Sequence, residues 1–178
     1  MTTSFVGRES ELDAVEAALA RHRAVTLTGG GGVGKSRLAL RVAERTRDRY
    51  PDGVWWIDLS NLYDDRLFTA TVCDAVDLLD HNPRAPLEAL REWLTGRQVL
   101  LVFDCCERVL ASCRSLVDEL LLAAAGLTVV ATSRKPLGVQ GEHRVEVAPL
   151  SMDEGGAGGA GGRWAGERAP PPPPGGPA

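Results

Sequence analysis

Gly29-Gly30-Gly31-Gly32-Val33-Gly34-Lys35-Ser36 stands between Ala24-Val25-Thr26-Leu27-Thr28 and Arg37-Leu38-Ala39-Leu40. The eight residues satisfy G-x-x-x-x-G-K-[ST], the P-loop pattern. Glycine lets a backbone curl until successive N–H groups point into one concavity, which suits phosphate oxygens. The preceding five residues read as a short buried strand, and an amphipathic helix is expected from about Ser36 to Arg49, stopped before Pro51. Such a helix aims the positive end of its dipole at the same concavity. Lys35 adds a full positive charge for β- and γ-phosphates, and the Ser36 hydroxyl is the right type of ligand for Mg²⁺. Gly29, Gly30, Gly31, Gly32, Val33, Gly34, Lys35, Ser36 and Arg37 are therefore the expected phosphate-binding set. A chance match is the competing explanation in a chain with 20 glycines. The strand before the loop and the helix after it argue against chance.

Further strands and helices alternate on either side of this unit. Val54 to Leu59 reads as a second strand, and Arg66 to Leu79 and Pro86 to Thr95 as helices, the latter with proline in its first turn. Val99-Leu100-Leu101-Val102-Phe103 is continuously apolar and ends at Asp104, the pattern of a central parallel strand covered on both faces. Asp104 then falls at the carboxyl edge of the sheet, where α/β proteins bind ligands, and is the expected partner of Ser36 in holding Mg²⁺. The next helix repeats Val109, Cys113, Leu116 and Leu120 on one face. Leu127 to Thr132 is a fourth strand and Arg144 to Val147 a weaker fifth. Glu9 to Ala20 is a helix with Leu12, Val15 and Leu19 on one side. The expected architecture is a three-layer α/β domain of the P-loop NTPase type, with a five-stranded, mainly parallel sheet. Arg134, just beyond the fourth strand, should reach the same edge as Asp104 and touch a γ-phosphate.

The chain has 178 residues, 44 % of them hydrophobic and 25 % charged, with a net charge of −4. That is one ordinary domain, with no global basic character to suggest direct nucleic-acid binding and no apolar run of membrane-spanning length. The N-terminus lacks a signal-peptide pattern, so a cytoplasmic protein is expected. Cys73, Cys105, Cys106 and Cys113 show no Cys-x-x-Cys pair; Cys106 and Cys113, seven apart, suit one buried helical face. Residues 1–150 form the expected nucleotide-binding domain. Residues 151–178 are dominated by glycine and proline and are expected to be a disordered tail.

Phe5-Val6-Gly7-Arg8-Glu9, Leu100 to Asp104 followed by Cys106-Glu107, and Ala131-Thr132-Ser133-Arg134-Lys135-Pro136-Leu137-Gly138 together resemble the NB-ARC-type core of the STAND ATPases. The likeness runs over about residues 4 to 151 and is nearest to the version in large actinobacterial transcriptional regulators of the antibiotic-regulatory kind. It implies an ATP/ADP-binding switch with Mg²⁺, slow hydrolysis at most, and self-association through the nucleotide-binding domain. It also implies that Val6 contacts the base, that Arg8 helps hold base or ribose, and that Arg134 meets the γ-phosphate. Guanine-nucleotide switches are disfavoured, since Asp104-Cys105-Cys106-Glu107 is not Asp-x-x-Gly. Two departures stand out. Cys105 occupies a position where the family commonly has Asn or Asp, so no general base is evident. After Pro149-Leu150-Ser151 the family's helical domain gives way to the Gly/Pro tail, as a truncated gene or a frame change would produce. The alternatives are a non-functional remnant and a P-loop kinase acting on a small molecule.

Overall fold

The computed structural model describes residues 8–78 and 85–149. Val6 and the tail from residue 151 lie outside the described residues. The elements are α1 (Glu9–Arg21), β1 (Ala24–Thr28), α2 (Lys35–Thr46), β2 (Val54–Asp58), α3 (Phe68–Ala75), α4 (Pro86–Leu94), β3 (Val99–Asp104), α5 (Leu110–Ala123), β4 (Leu127–Ser133) and β5 (Glu142–Glu146). The strands form one sheet in the order β2-β3-β4-β1-β5, and every pairing is parallel. All five strands therefore end on the same edge. β1 sits between β4 and β5, while the strand that follows it in sequence lies at the far side of the sheet. A chain that departs in this way opens a crevice beyond the strand ends, and the glycine loop fills it.

The apolar run of β3 explains the layering. All six of its residues are buried. Leu101 and Phe103 pack on one face with Ile57, Phe68, Val72, Leu90, Cys113 and Val117, residues of β2, α3, α4 and α5. Leu100 and Val102 pack on the other with Leu12, Val15, Leu38 and Val42 of α1 and α2. Alternate residues point to opposite faces, so a strand clothed on both sides must be apolar throughout. Cys106 and Cys113 are both buried, with the Cys113 thiol donating to Cys106 Sγ at 3.5 Å.

Element ends differ from the sequence reading for local reasons. The helix expected to run to Arg49 closes at Thr46 and tightens into a 3₁₀ turn at Arg47–Arg49. The helix expected from Arg66 begins as an α-helix only at Phe68, because Asp64 caps a 3₁₀ turn over Asp65–Leu67 by accepting from the Arg66 N–H. It ends at Ala75, followed by Asp77 at φ 55°. The fifth strand starts two residues earlier and ends one residue earlier than expected, at Glu142–Glu146 and not 144–147. Its first two residues are polar and half-buried, so apolar content gave no sign of them.

Candidate functional site

β1 delivers the chain to the loop, and α2 takes it away. Gly32 and Gly34 have φ of 77° and 96°, the left-handed region that side-chain-bearing residues avoid. Gly29 is fixed by space: a Cβ there would fall 2.6 Å from the Val147 carbonyl oxygen, which belongs to the backbone leaving β5. Gly30, Gly31 and Gly32 are exposed, Val33 and Gly34 half-buried. Lys35 is buried at the first residue of α2, its Nζ donating to the carbonyls of Gly29 at 2.9 Å and Gly30 at 2.7 Å. The ammonium thus ties the end of the loop to its first two residues. Arg37, on the first turn of α2, is exposed.

Asp104 ends β3 with 8 % of its surface exposed. Its Oδ1 accepts from Ser36 Oγ at 2.6 Å and from Thr132 Oγ1 at 2.6 Å. The first of these joins two residues 68 apart in sequence. Thr132 in turn accepts from the Cys105 N–H at 2.9 Å, so one buried hydroxyl fixes both the carboxylate and the turn that follows it. Thr132 was not singled out by the sequence reading. Its signal was a polar residue near the carboxyl end of an otherwise apolar strand, next to an edge that already carried Asp104. Arg134 lies one residue beyond β4, and a Cβ on Gly31 would fall 2.9 Å from its Nη2, so its guanidinium rests against the glycine loop.

Cys105 has φ 65° and ψ 52°, a left-handed conformation that costs an ordinary L-residue roughly 1–2 kcal/mol. Asn and Asp tolerate that region better, which gives a backbone reason for them at this position. Burial, and then the charges of Asp104, Glu107 and Asp58, push its thiol up to about 12. A thiol raised in this way stays protonated at neutral pH. Cys105→Asn is expected to stabilise the fold by about 0.5–1 kcal/mol, raising Tm by about 1–4 °C. An unchanged or lower Tm in thermal unfolding would mean that packing of the sulfur outweighs backbone strain.

The segment carrying Arg134 is held from behind by Glu142. The Glu142 side chain is 3 % exposed and accepts from Thr26 Oγ1 at 2.6 Å and from the N–H groups of Leu137 and Gly138 at 2.8 and 3.1 Å. Burial raises its pKa, but the hydrogen bonds from Thr26, Leu137, Gly138 and Arg144 outweigh that and hold it below the ordinary value. A carboxyl lowered on folding contributes stability above its unfolded pKa and loses it as pH falls through the folded one. Glu142→Gln should therefore destabilise the protein more at pH 7 than at pH 3.5, measured by urea unfolding. An equal loss at both pH values would show that shape, not charge, matters there.

Among the described residues no group of three or more His, Cys, Asp or Glu is arranged to hold a metal, and no helix is long and apolar enough to cross a membrane. The sequence profile of the NB-ARC domain matches residues 8–136. The chain belongs to the NB-ARC domain family. This NB-ARC domain is 41 % identical over 140 residues to a Mycobacterium tuberculosis protein named as an HTH-type transcriptional regulator, covering 79 % of the chain and 16 % of that protein. The domain thus spans about a sixth of the regulator's length. Its fold is similar to that of a STAND protein with a tetratricopeptide repeat sensor from Pyrococcus horikoshii, with a TM-score of 0.54 at 19 % identity over 84 % of the chain and 24 % of that structure. It is also similar to Cdc6p from Pyrobaculum aerophilum, with a TM-score of 0.64 at 17 % identity, covering 85 % of the chain and 48 % of that structure. The NB-ARC domain is a P-loop NTPase-type α/β domain resembling STAND and regulator cores. The match stops at Pro136, before β5 begins.

Proposed function

We propose that this NB-ARC domain is an ATP/ADP-binding switch module that hydrolyses ATP slowly in the presence of Mg²⁺. The observation that carries the reading is the convergence at one sheet edge of the glycine loop, Lys35, the Ser36–Asp104 hydrogen bond and Arg134. Gly29 to Ser36 would receive the phosphates through backbone N–H groups, with Lys35 supplying charge and Arg37 flanking them. The residues also fit Mg²⁺. That ion takes oxygen donors and keeps several waters, binding through one or two protein groups and substrate phosphates, so a dedicated acidic cage is not required. A hydroxyl and a carboxylate already 2.6 Å apart, Ser36 and Asp104, are such a pair.

When bound, Mg²⁺ neutralises charge that develops on the phosphate oxygens during transfer to water. Asp104, oriented by Thr132, would hold the metal side of the site, and Arg134 would meet the γ-phosphate across the loop. The residue directly after Asp104 is not a carboxylate, and the protonated Cys105 thiol is a poor acceptor for the proton of an attacking water. Turnover is therefore set low. The switch, self-association through this domain and a transcriptional output belong to the same proposal, supported by the regulator relatives. A phosphate-release assay tests it: turnover far below the median enzyme rate of ~10 s⁻¹, absent with excess EDTA, is expected. Hydrolysis that survives EDTA, or that reaches tens per second, would sink the slow Mg²⁺-dependent reading.

A further inference from the structure

A loop that turns its N–H groups inward to phosphate turns its carbonyls outward, and a buried carbonyl needs a donor. Behind this loop the donor is Arg8. The residue is 3 % exposed, and its Nη2 donates to the carbonyl of Val33 and, at 3.2 Å, to that of Ala148. Nη1 donates to Glu11 Oε2 at 2.8 Å, which gives the buried charge its counter-ion. A Cβ on Gly34 would lie 3.8 Å from the same Nη2, so the guanidinium is in contact with the last turn of the loop. The three partners come from three segments: the glycine loop, the backbone leaving β5, and α1.

The opposite end of the loop is fixed to the same backbone by other means. Gly29 abuts the Val147 carbonyl, and the Val147 N–H donates to Thr28 at 2.7 Å. Residues 147–148 thus hold the start of the loop directly and its end through Arg8. We infer that Arg8 is a positioning residue for the phosphate loop, clasping Val33 to the backbone at Ala148. Both protons of Nη2 are committed to these carbonyls, and one of Nη1 to Glu11. The inference rests on the nucleotide-binding reading above and gives Arg8 a different part in it from the one the family resemblance implies. Lysine at this position would keep the charge but lacks the planar fork that reaches three acceptors at once.

The discriminating ligand is one without a base. Dissociation constants for Mg-ATP, Mg-GTP and Mg-tripolyphosphate are measured by isothermal titration for wild type, Arg8→Met and Arg8→Lys, with folding checked by circular dichroism. Arg8→Met should weaken all three by one common factor, about tenfold, and leave the ATP-to-GTP ratio at its wild-type value. Should the methionine variant fail to fold, Arg8→Lys is expected to show the same common loss, smaller in size. Weakened ATP and GTP with unchanged tripolyphosphate, an altered ATP-to-GTP ratio, or no loss at all would overturn the assignment. Failure of wild type to bind any of the three would instead overturn the phosphate-site reading on which it rests.

Discussion

Lys35→Ala is expected to weaken ATP binding by about 30- to 150-fold while leaving the far-UV circular dichroism unchanged. The ammonium is buried at the start of α2 and held across the loop by the carbonyls of Gly29 and Gly30, so its position is set before any phosphate arrives. A charge-assisted contact of this kind is worth roughly 2–3 kcal/mol, which gives the stated range. The side chain contributes little to the core, since α2 packs through Leu38, Ala39, Val42 and Ala43 on its other positions. The loss should grow from ADP to ATP, because the charge serves the outer phosphates. Equal ATP affinity in wild type and variant, with the fold intact, would remove the loop from the binding site.

Asp104→Ala should abolish Mg²⁺-dependent hydrolysis and with it the part of ATP affinity that Mg²⁺ adds. The carboxylate is the acceptor for both Ser36 and Thr132, so its loss would remove one proposed Mg²⁺ ligand and release the hydroxyl proposed as the second. The buried Thr132 hydroxyl and the half-buried Ser36 hydroxyl both lose their acceptor, at a cost of about 1–3 kcal/mol for the buried one unless water enters. Melting should therefore be checked alongside phosphate release, and assays run below the variant's Tm. Cys105→Ala, by contrast, should change hydrolysis little, since its thiol is protonated, its backbone N–H is what ties it to Thr132, and Asp104 keeps its contacts with Ser36 and Thr132 when the thiol's hydrogen bond to it is lost. Loss of activity in Cys105→Ala with activity retained in Asp104→Ala would mean that the two roles are reversed.

Where a signal is carried by composition or spacing, the sequence was enough. The unbroken apolar run at Val99–Phe103 announced a central parallel strand, and the acid at its end announced the edge of the sheet. The glycine spacing before Lys35-Ser36 located the loop, and the order β2-β3-β4-β1-β5 then brought Asp104 and Arg134 to it. What escaped were polar side chains that work through tertiary neighbours. Thr132 and Glu142 look like ordinary strand residues until β4 and β5 are laid beside β3 and β1. Arg8 is a similar case. Its family motif is visible in sequence, but its contacts with Val33 and Ala148 join residues 25 and 140 positions away, which no local pattern encodes. Strand ends were least legible where polar residues pair, as at Glu142 and His143.

The central claim is that the loop from Gly29 to Ser36 holds the phosphates of ATP with Mg²⁺ shared between Ser36 and Asp104. Equilibrium titration of ATP into the purified wild-type protein, with Mg²⁺ and with EDTA, tests it most directly. Saturable binding of one ATP per chain that tightens when Mg²⁺ is present is the expected result. No binding, or binding indifferent to Mg²⁺, would contradict it.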